Sequence, residues 1–159
     1  AGSDARMNGC ELPVVINSGS GNQGLTVSVP LIIYAEREHL DKEKLYRALV
    51  ISNLTAIHLK TEIGRLSAFC GAVSAGAACG AGLAYLKDAS EEVMNHTIVN
   101  ALAITSGIIC DGAKASCAAK IAVSVEAGIL GYDMYMNGQQ FYGGDGIISK
   151  GIESTISVY

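Results

Sequence analysis

The sequence has no tryptophan, two phenylalanines and two prolines in 159 residues. Large rings therefore cannot fill its core. Charge is also scarce, at 16% of residues against about 25% in an average soluble protein. Half the residues are apolar and the mean hydropathy is +0.34, which excludes a disordered chain. The net charge is −4 and no basic stripe is visible, so the electrostatic footprint of a nucleic-acid binder is missing. The chain opens on AGSDARM and ends on STISVY, without an initiator methionine or a charged and then apolar leader. Both ends read as cut from a longer polypeptide. The five cysteines are odd in number and form no close pairs, and a chain of this length folds without disulfide staples. That usage suits a reducing, cytoplasmic setting in which thiols are free or bind metal.

Glycine is what the sequence has in excess, with 19 residues against about 7% in average proteins. Small residues must do much of the packing. Residues 1–24 read as loop, and INSGSGNQG (16–24) is the strongest cluster of turn formers. LTVSVPLIIYA (25–35) has the β-branched content of a strand, but its length and its place after a Gly-rich loop favour a helix interrupted at Pro30. Residues 39–64 form a clear helix, with Asp41 as cap, Gly64 as stop, and an apolar stripe of Leu45, Leu49, Ser52, Ala56 and Leu59. From Leu66 to Leu86 there is no charge. That run is long enough to span a bilayer, and Gly76 and Gly80 have the spacing of membrane helix pairs. Its apolarity comes from alanine and glycine, however, and Tyr85 is the lone aromatic anchor near its end. The expectation is a central helix buried on all sides, with no membrane partner. Asp88 and Glu91 have capping-box spacing for a helix reaching towards Cys110. A further helix covers 114–138, with Ile121, Val125, Gly128 and Ile129 inward, and a short helix ends the chain. The expected fold is all-α: one domain over 1–159, a bundle around an Ala/Gly-rich helix with a Gly-rich N-terminal loop.

The chemistry centres on GIICDGAKASC (107–117). Cys110 ends one expected helix and Cys117 lies in the first turn of the next, where the dipole and free N–H groups favour a thiolate. Lys114 would add to that effect. The seven-residue gap does not fit the closer pairs of zinc sites. Three thiolates can hold a cubane iron–sulfur cluster with one iron open to substrate, and Cys70, at the start of the small-residue helix, is the natural third. Cys79 reads as core and Cys10 has no assignment. The bland alternative is five merely buried cysteines in a non-catalytic helical domain.

DARMNGCELPV (4–14), NSGSGNQG (17–24), CGAVSAGAACGAGLAYL (70–86) and GIICDGAKASCAAKI (107–121) resemble the iron–sulfur-dependent L-serine dehydratase alpha-chain superfamily, within it the L-cysteine desulfidase branch. The resemblance covers nearly the whole chain. It implies the C-terminal catalytic portion of a longer protein whose N-terminal part contributes to the active site. It implies a [4Fe–4S] cluster on Cys70, Cys110 and Cys117. The activity implied is elimination from a small L-amino acid: L-cysteine to pyruvate, ammonia and sulfide, or L-serine to pyruvate and ammonia. Iron would polarise the leaving group, a base would take the α-proton, and the aminoacrylate would hydrolyse without pyridoxal phosphate. Beside that context the Gly-rich loop, otherwise an ordinary polar turn, is expected to bind the substrate carboxylate through Ser18, Ser20, Gly21, Asn22 and Gln23. Asp111 and Lys114 would orient the loop or tune the cluster, and Arg6 would pair with a carboxylate, of substrate or of protein. His39, His58 and His96 receive no role, and the base stays unassigned. A homo-oligomer is compatible with this reading.

Overall fold

The computed structural model describes residues 1–64 and 67–159. Arg65 and Leu66, where the uncharged segment begins, lie outside the described residues. Among the described residues seven helices follow in order: α1 (Gly2–Met7), α2 (Gly21–Arg37), α3 (Lys42–Ile63), α4 (Gly71–Leu86), α5 (Glu91–Thr105), α6 (Cys117–Met136) and α7 (Ile152–Val158). No strand occurs among the described residues, and the fold is all-α. Among the described residues no helix is long and apolar enough to cross a membrane.

Helix α4 is the hub. Fourteen of its sixteen residues are buried, and α2, α3, α5 and α6 all pack on it. Ala75, Ala77, Ala78 and Ala81 join Val27, Ala56, Leu59, Ile98 and Leu102 in the main core. A second cluster holds Leu31, Ala35, Ala48, Cys79, Leu83 and Leu86. The closest approach is to α6. A methyl group on Gly80 would lie 2.8 Å from the Gly128 Cα, and one on Gly128 would lie 2.8 Å from the Gly76 carbonyl oxygen. The two backbones touch, which only glycine permits.

Several boundaries differ from expectation. Residues 2–7 form α1 rather than loop, because Ser3 and Arg6 both donate to the Asn22 side chain and tie this short helix to α2. Pro30 does not interrupt α2. An interior proline costs about 3 kcal/mol, and full burial of Val27 and Leu31 offsets it at about 1.5–3 kcal/mol each. Ser90, not Asp88, caps α5, accepting from the Val93 N–H. At Asp88 the chain is still turning out of α4, with a left-handed φ of 60°, and its carboxylate pairs with Lys44 instead. Helix α5 stops at Thr105, so Cys110 does not end a helix. The left-handed Gly107, at φ 89°, turns the chain into an extended segment.

The glycine contact makes a clear prediction. Gly128→Ala should destabilise the bundle by about 1–3 kcal/mol, the cost of overpacking a core, and lower the thermal midpoint by roughly 2–4 °C per kcal/mol. Val123→Ala, exposed on the same helix, should stay within about 0.5 kcal/mol; thermal unfolding by circular dichroism distinguishes the two. The Cys79 thiol, fully buried and pushed up to about 12 by burial, should resist iodoacetamide in the native chain. Peptide mass mapping should find Cys10 and Cys110, both exposed, alkylated first, and Cys79 only after unfolding.

Candidate functional site

The segments before α4 and before α6 pair side by side. Cys70 N–H donates to the Ile108 carbonyl at 3.1 Å and Cys110 N–H to the Ala68 carbonyl at 2.7 Å, an isolated antiparallel bridge centred on Phe69 and Ile109. Cys70 and Cys110 are the outermost residues of this bridge. Cys117 joins them as the first residue of α6, its thiol donating to the Gly112 carbonyl at 3.5 Å. Residues far apart in the chain, Cys70, Cys110 and Cys117, thus line one cavity of about 270 Å³.

The Gly-rich loop lines the same cavity through Ser18, Gly19, Ser20, Asn22 and Gln23. The loop closes by a tight pairing of Asn17 and Ser20, whose backbone groups exchange bonds of 3.1 and 3.0 Å. Ser20 then caps α2, accepting from the Gln23 N–H. This leaves the Gly21 and Asn22 N–H groups as free first-turn donors. Other side chains of the loop are already engaged. Ser18 donates to Asn17 at 2.9 Å, and the Asn22 oxygen accepts from Ser3 at 3.1 Å and from Arg6 at 2.9 Å. Arg6 therefore meets an amide here rather than a carboxylate, and its guanidinium lies where a Gly21 side chain would be. Gln23 differs: its Oε1 is buried without a hydrogen-bond partner. Gly71 stands against it, and a methyl group there would lie 2.4 Å from Gln23 Nε2.

Three helices begin at this cavity. Ser20 to Gln23 open α2, Cys70 to Ala72 open α4, and Cys117 opens α6. Each N-terminus carries roughly half a positive charge and free N–H donors. Lys60, near the end of α3, is the one charged side chain lining the cavity among the described residues. Among the described residues no Asp or Glu lines the cavity, so it favours anions: thiolates, a carboxylate, or both.

Lysine 120, not Lys114, is the cation tied to the cysteine segment. Its ammonium donates to the Ile109 carbonyl at 3.1 Å and pairs with Asp111, clasping both sides of Cys110 to α6. The Lys120 hydrogen bond holds the Asp111 carboxyl below its usual range, and Asp111 in turn pushes Lys120 up. Lys114 lies farther along the exposed turn, where its charge also favours the Asp111 carboxylate. Burial pushes the Cys70 thiol up, opposed by the Ala72 N–H and by the charge of Lys120. Ligation by a metal would reverse that outcome by releasing the proton. Tyr159 packs behind Cys70, its ring 6.3 Å from Phe69 and its phenol pushed up to about 12 by burial.

The sequence reading missed Lys120, although it stands three residues after Cys117 on the same helical face. Lys60 carried no local signal, because it comes from a different helix. The histidines stay outside: His58 pairs with Glu153 at 2.9 Å on the surface, and His96 stacks on Tyr135. No three His, Cys, Asp or Glu side chains among the described residues converge on a single-ion position. A cubane makes a different demand, since each thiolate meets its own iron. Three soft donors around a cavity whose lining has no competing carboxylate or imidazole suit such a cluster.

Comparison with known proteins agrees over the whole length. The family model described as serine dehydratase alpha chain matches residues 1–158. A UPF0597 protein of Desulfitobacterium hafniense is 68% identical over 99% of this chain and 36% of its own length. One from Lachnoclostridium phytofermentans is 60% identical over 98% of this chain and 37% of its own, and one from Fusobacterium nucleatum is 48% identical over 98% and 36%. The chain thus spans little more than a third of the curated relatives it matches. No solved structure matches it. With the family model covering all but the last residue, the chain belongs to the serine dehydratase alpha-chain family.

Proposed function

We propose that this chain carries the cluster-binding core of a lyase that eliminates the β-substituent of a small L-amino acid, with L-cysteine as substrate and pyruvate, ammonia and sulfide as products. Cys70, Cys110 and Cys117 would hold a [4Fe–4S] cluster. The observation that carries this reading is the shared cavity, which three cysteines, the Gly-rich loop and the N-termini of α2, α4 and α6 line together. Bound there, the cluster supplies a Lewis-acidic iron for the thiol or hydroxyl that leaves.

The chain's own residues bind and orient the amino acid. Asn22 and Lys60 line the cavity, and the Asn22 N–H, with that of Gly21 next to it, lies in the first turn of α2, where a carboxylate gains most from the helix dipole. Gln23 Oε1, a buried acceptor without a partner, suits the α-ammonium, since leaving it unpaired costs about 1–3 kcal/mol. Carboxylate and ammonium held at two points would fix the Cβ direction, which is the orientation that elimination requires. The Lys120 clasp keeps the Cys110 segment against α6, so two of the proposed ligands move as one unit. Because the matched relatives are much longer, the activity is proposed for the longer polypeptide, with its remaining part as a partner of this site.

Anaerobic reconstitution of the longer polypeptide with iron and sulfide should give the broad visible absorption of a cubane. Cys70→Ala, Cys110→Ala and Cys117→Ala should each abolish it, while Cys10→Ala and Cys79→Ala keep it. A Cys117→Ala protein with a full and stable cluster would sink the ligand set. Sulfide release from L-cysteine should exceed pyruvate formation from L-serine; the reverse ratio assigns the serine reaction, and loss of both with metal-free, inert thiols assigns a non-catalytic domain. Lys60→Met should raise KM by roughly 10- to 100-fold, the equivalent of a hydrogen bond to a charged group at about 1.5–3 kcal/mol, with a smaller effect on kcat. An unchanged KM would remove Lys60 from carboxylate binding.

A further inference from the structure

Helix α3 is apolar on two opposite faces. Its inner face, Ala48, Ser52, Ala56 and Leu59, is buried on α4 and α2. Its outer face carries Tyr46, Val50, Leu54 and Ile57, at successive spacings of four, four and three, and these are 56, 56, 60 and 46% exposed. From Ala48 to Ile57 there is no charged residue on any side. The outward side of α6 is different, because Glu126 and Asp133 interrupt its exposed Val123, Leu130 and Met136. On α3 the charges stand at the ends of the stripe, with the exposed Glu43–Arg47 ion pair beside Tyr46 and His58 paired with Glu153 after Ile57, and the uncharged middle leaves an exposed apolar strip of the kind that marks a docking face.

The patch extends beyond α3. Asn17 donates to the Asn53 backbone at 3.2 Å and to its side-chain oxygen at 3.0 Å, which fastens the loop carrying the exposed Val15 and Ile16 to the middle of α3. At the other end of the stripe, Ile57 lines a second hollow together with Ser18, Gly19 and Lys60, and those three also line the cysteine cavity. Whatever sits on the outer face of α3 therefore reaches the rim of the candidate site.

We propose that this face docks an apolar-faced helix from the part of the polypeptide by which the matched relatives exceed this chain. Their length is the first argument, since the match spans only 36–37% of the relatives. The size of the patch is the second. Six side chains fall well short of the 20–30 residues a side of a stable interface between separate molecules. A segment in the same chain docks at an effective concentration in the mM range and needs far less area. A second copy has neither advantage. The inference concerns a surface and not the thiols, so it stands or falls independently of the proposed lyase activity.

Hydroxyl-radical footprinting of the full-length polypeptide carrying this chain tests it, with each rate taken against the same side chain in the urea-unfolded protein. Exposures of 56% for Tyr46 and 60% for Leu54 correspond to about a twofold slowing if the face is bare. Docking predicts a slowing of tenfold or more, which is about 1.4 kcal/mol of closure, and no change on dilution. Leu54→Lys should then restore the reactivity of Tyr46 while the helical signal stays. Protection near twofold in the unmodified protein overturns the proposal, as does protection that vanishes on dilution, which would assign the face to a second copy. The unmodified protein alone decides the matter if the variant fails to fold.

Discussion

The backbone contact between α4 and α6 sets the geometry of everything around it. Gly76, Gly80 and Gly128 let the two helices touch without intervening side chains. At that spacing the helices begin at the same end of the bundle, and the extended segments leading into them lie close enough to pair through Phe69 and Ile109. That pairing sets Cys70 opposite Ile108 and Cys110 opposite Ala68, diagonally across one short bridge. A side chain between the helices would force the two backbones apart at this contact. The position of the cysteines thus follows from the close α4–α6 packing.

The same arrangement concentrates positive potential. The N-termini of α2, α4 and α6 meet around a small cavity, and the only charged side chain on its lining among the described residues is the cation Lys60. Helix ends usually discharge their dipoles into solvent or onto capping acids. Here two of the three open with a cysteine as cap or first residue and have no acid in the first turn. The thiols take the place that capping carboxylates would hold, and a buried thiol such as Cys70, pushed up by desolvation, has a field around it that favours the ionised form once a metal is bound. Fold and site are thus linked through electrostatics as well as through packing.

The long elements were legible because their signals are local. The uncharged Ala/Gly run announced a helix buried on all sides, and the 3.6-residue spacing of Ala56 and Leu59 announced α3. What could not be read were features fixed by contacts distant in sequence. Pro30 looked like an interruption, and burial of Val27 and Leu31 overrode it. Cys110 looked like the end of a helix and belongs to an extended bridge whose partner lies about forty residues earlier. The anchoring of the Asn22 side-chain oxygen by Ser3 and Arg6 was also hidden, because it comes from α1, itself read as loop. Lys114 was favoured by closeness in sequence to Cys117, while the clasp is made by Lys120, one helical turn further on.

By itself the sequence determined the helical class, the buried central helix and the residue types able to bind a soft metal centre, since propensity, periodicity and donor chemistry are properties of short stretches. Tertiary structure alone decided that Cys70, Cys110, Cys117, Lys60 and the Gly-rich loop share one cavity, and that the outer face of α3 stands uncovered. The physical reason is that convergence in space depends on helix spacing and on hydrogen bonds between remote segments, and neither leaves a periodic mark in the chain.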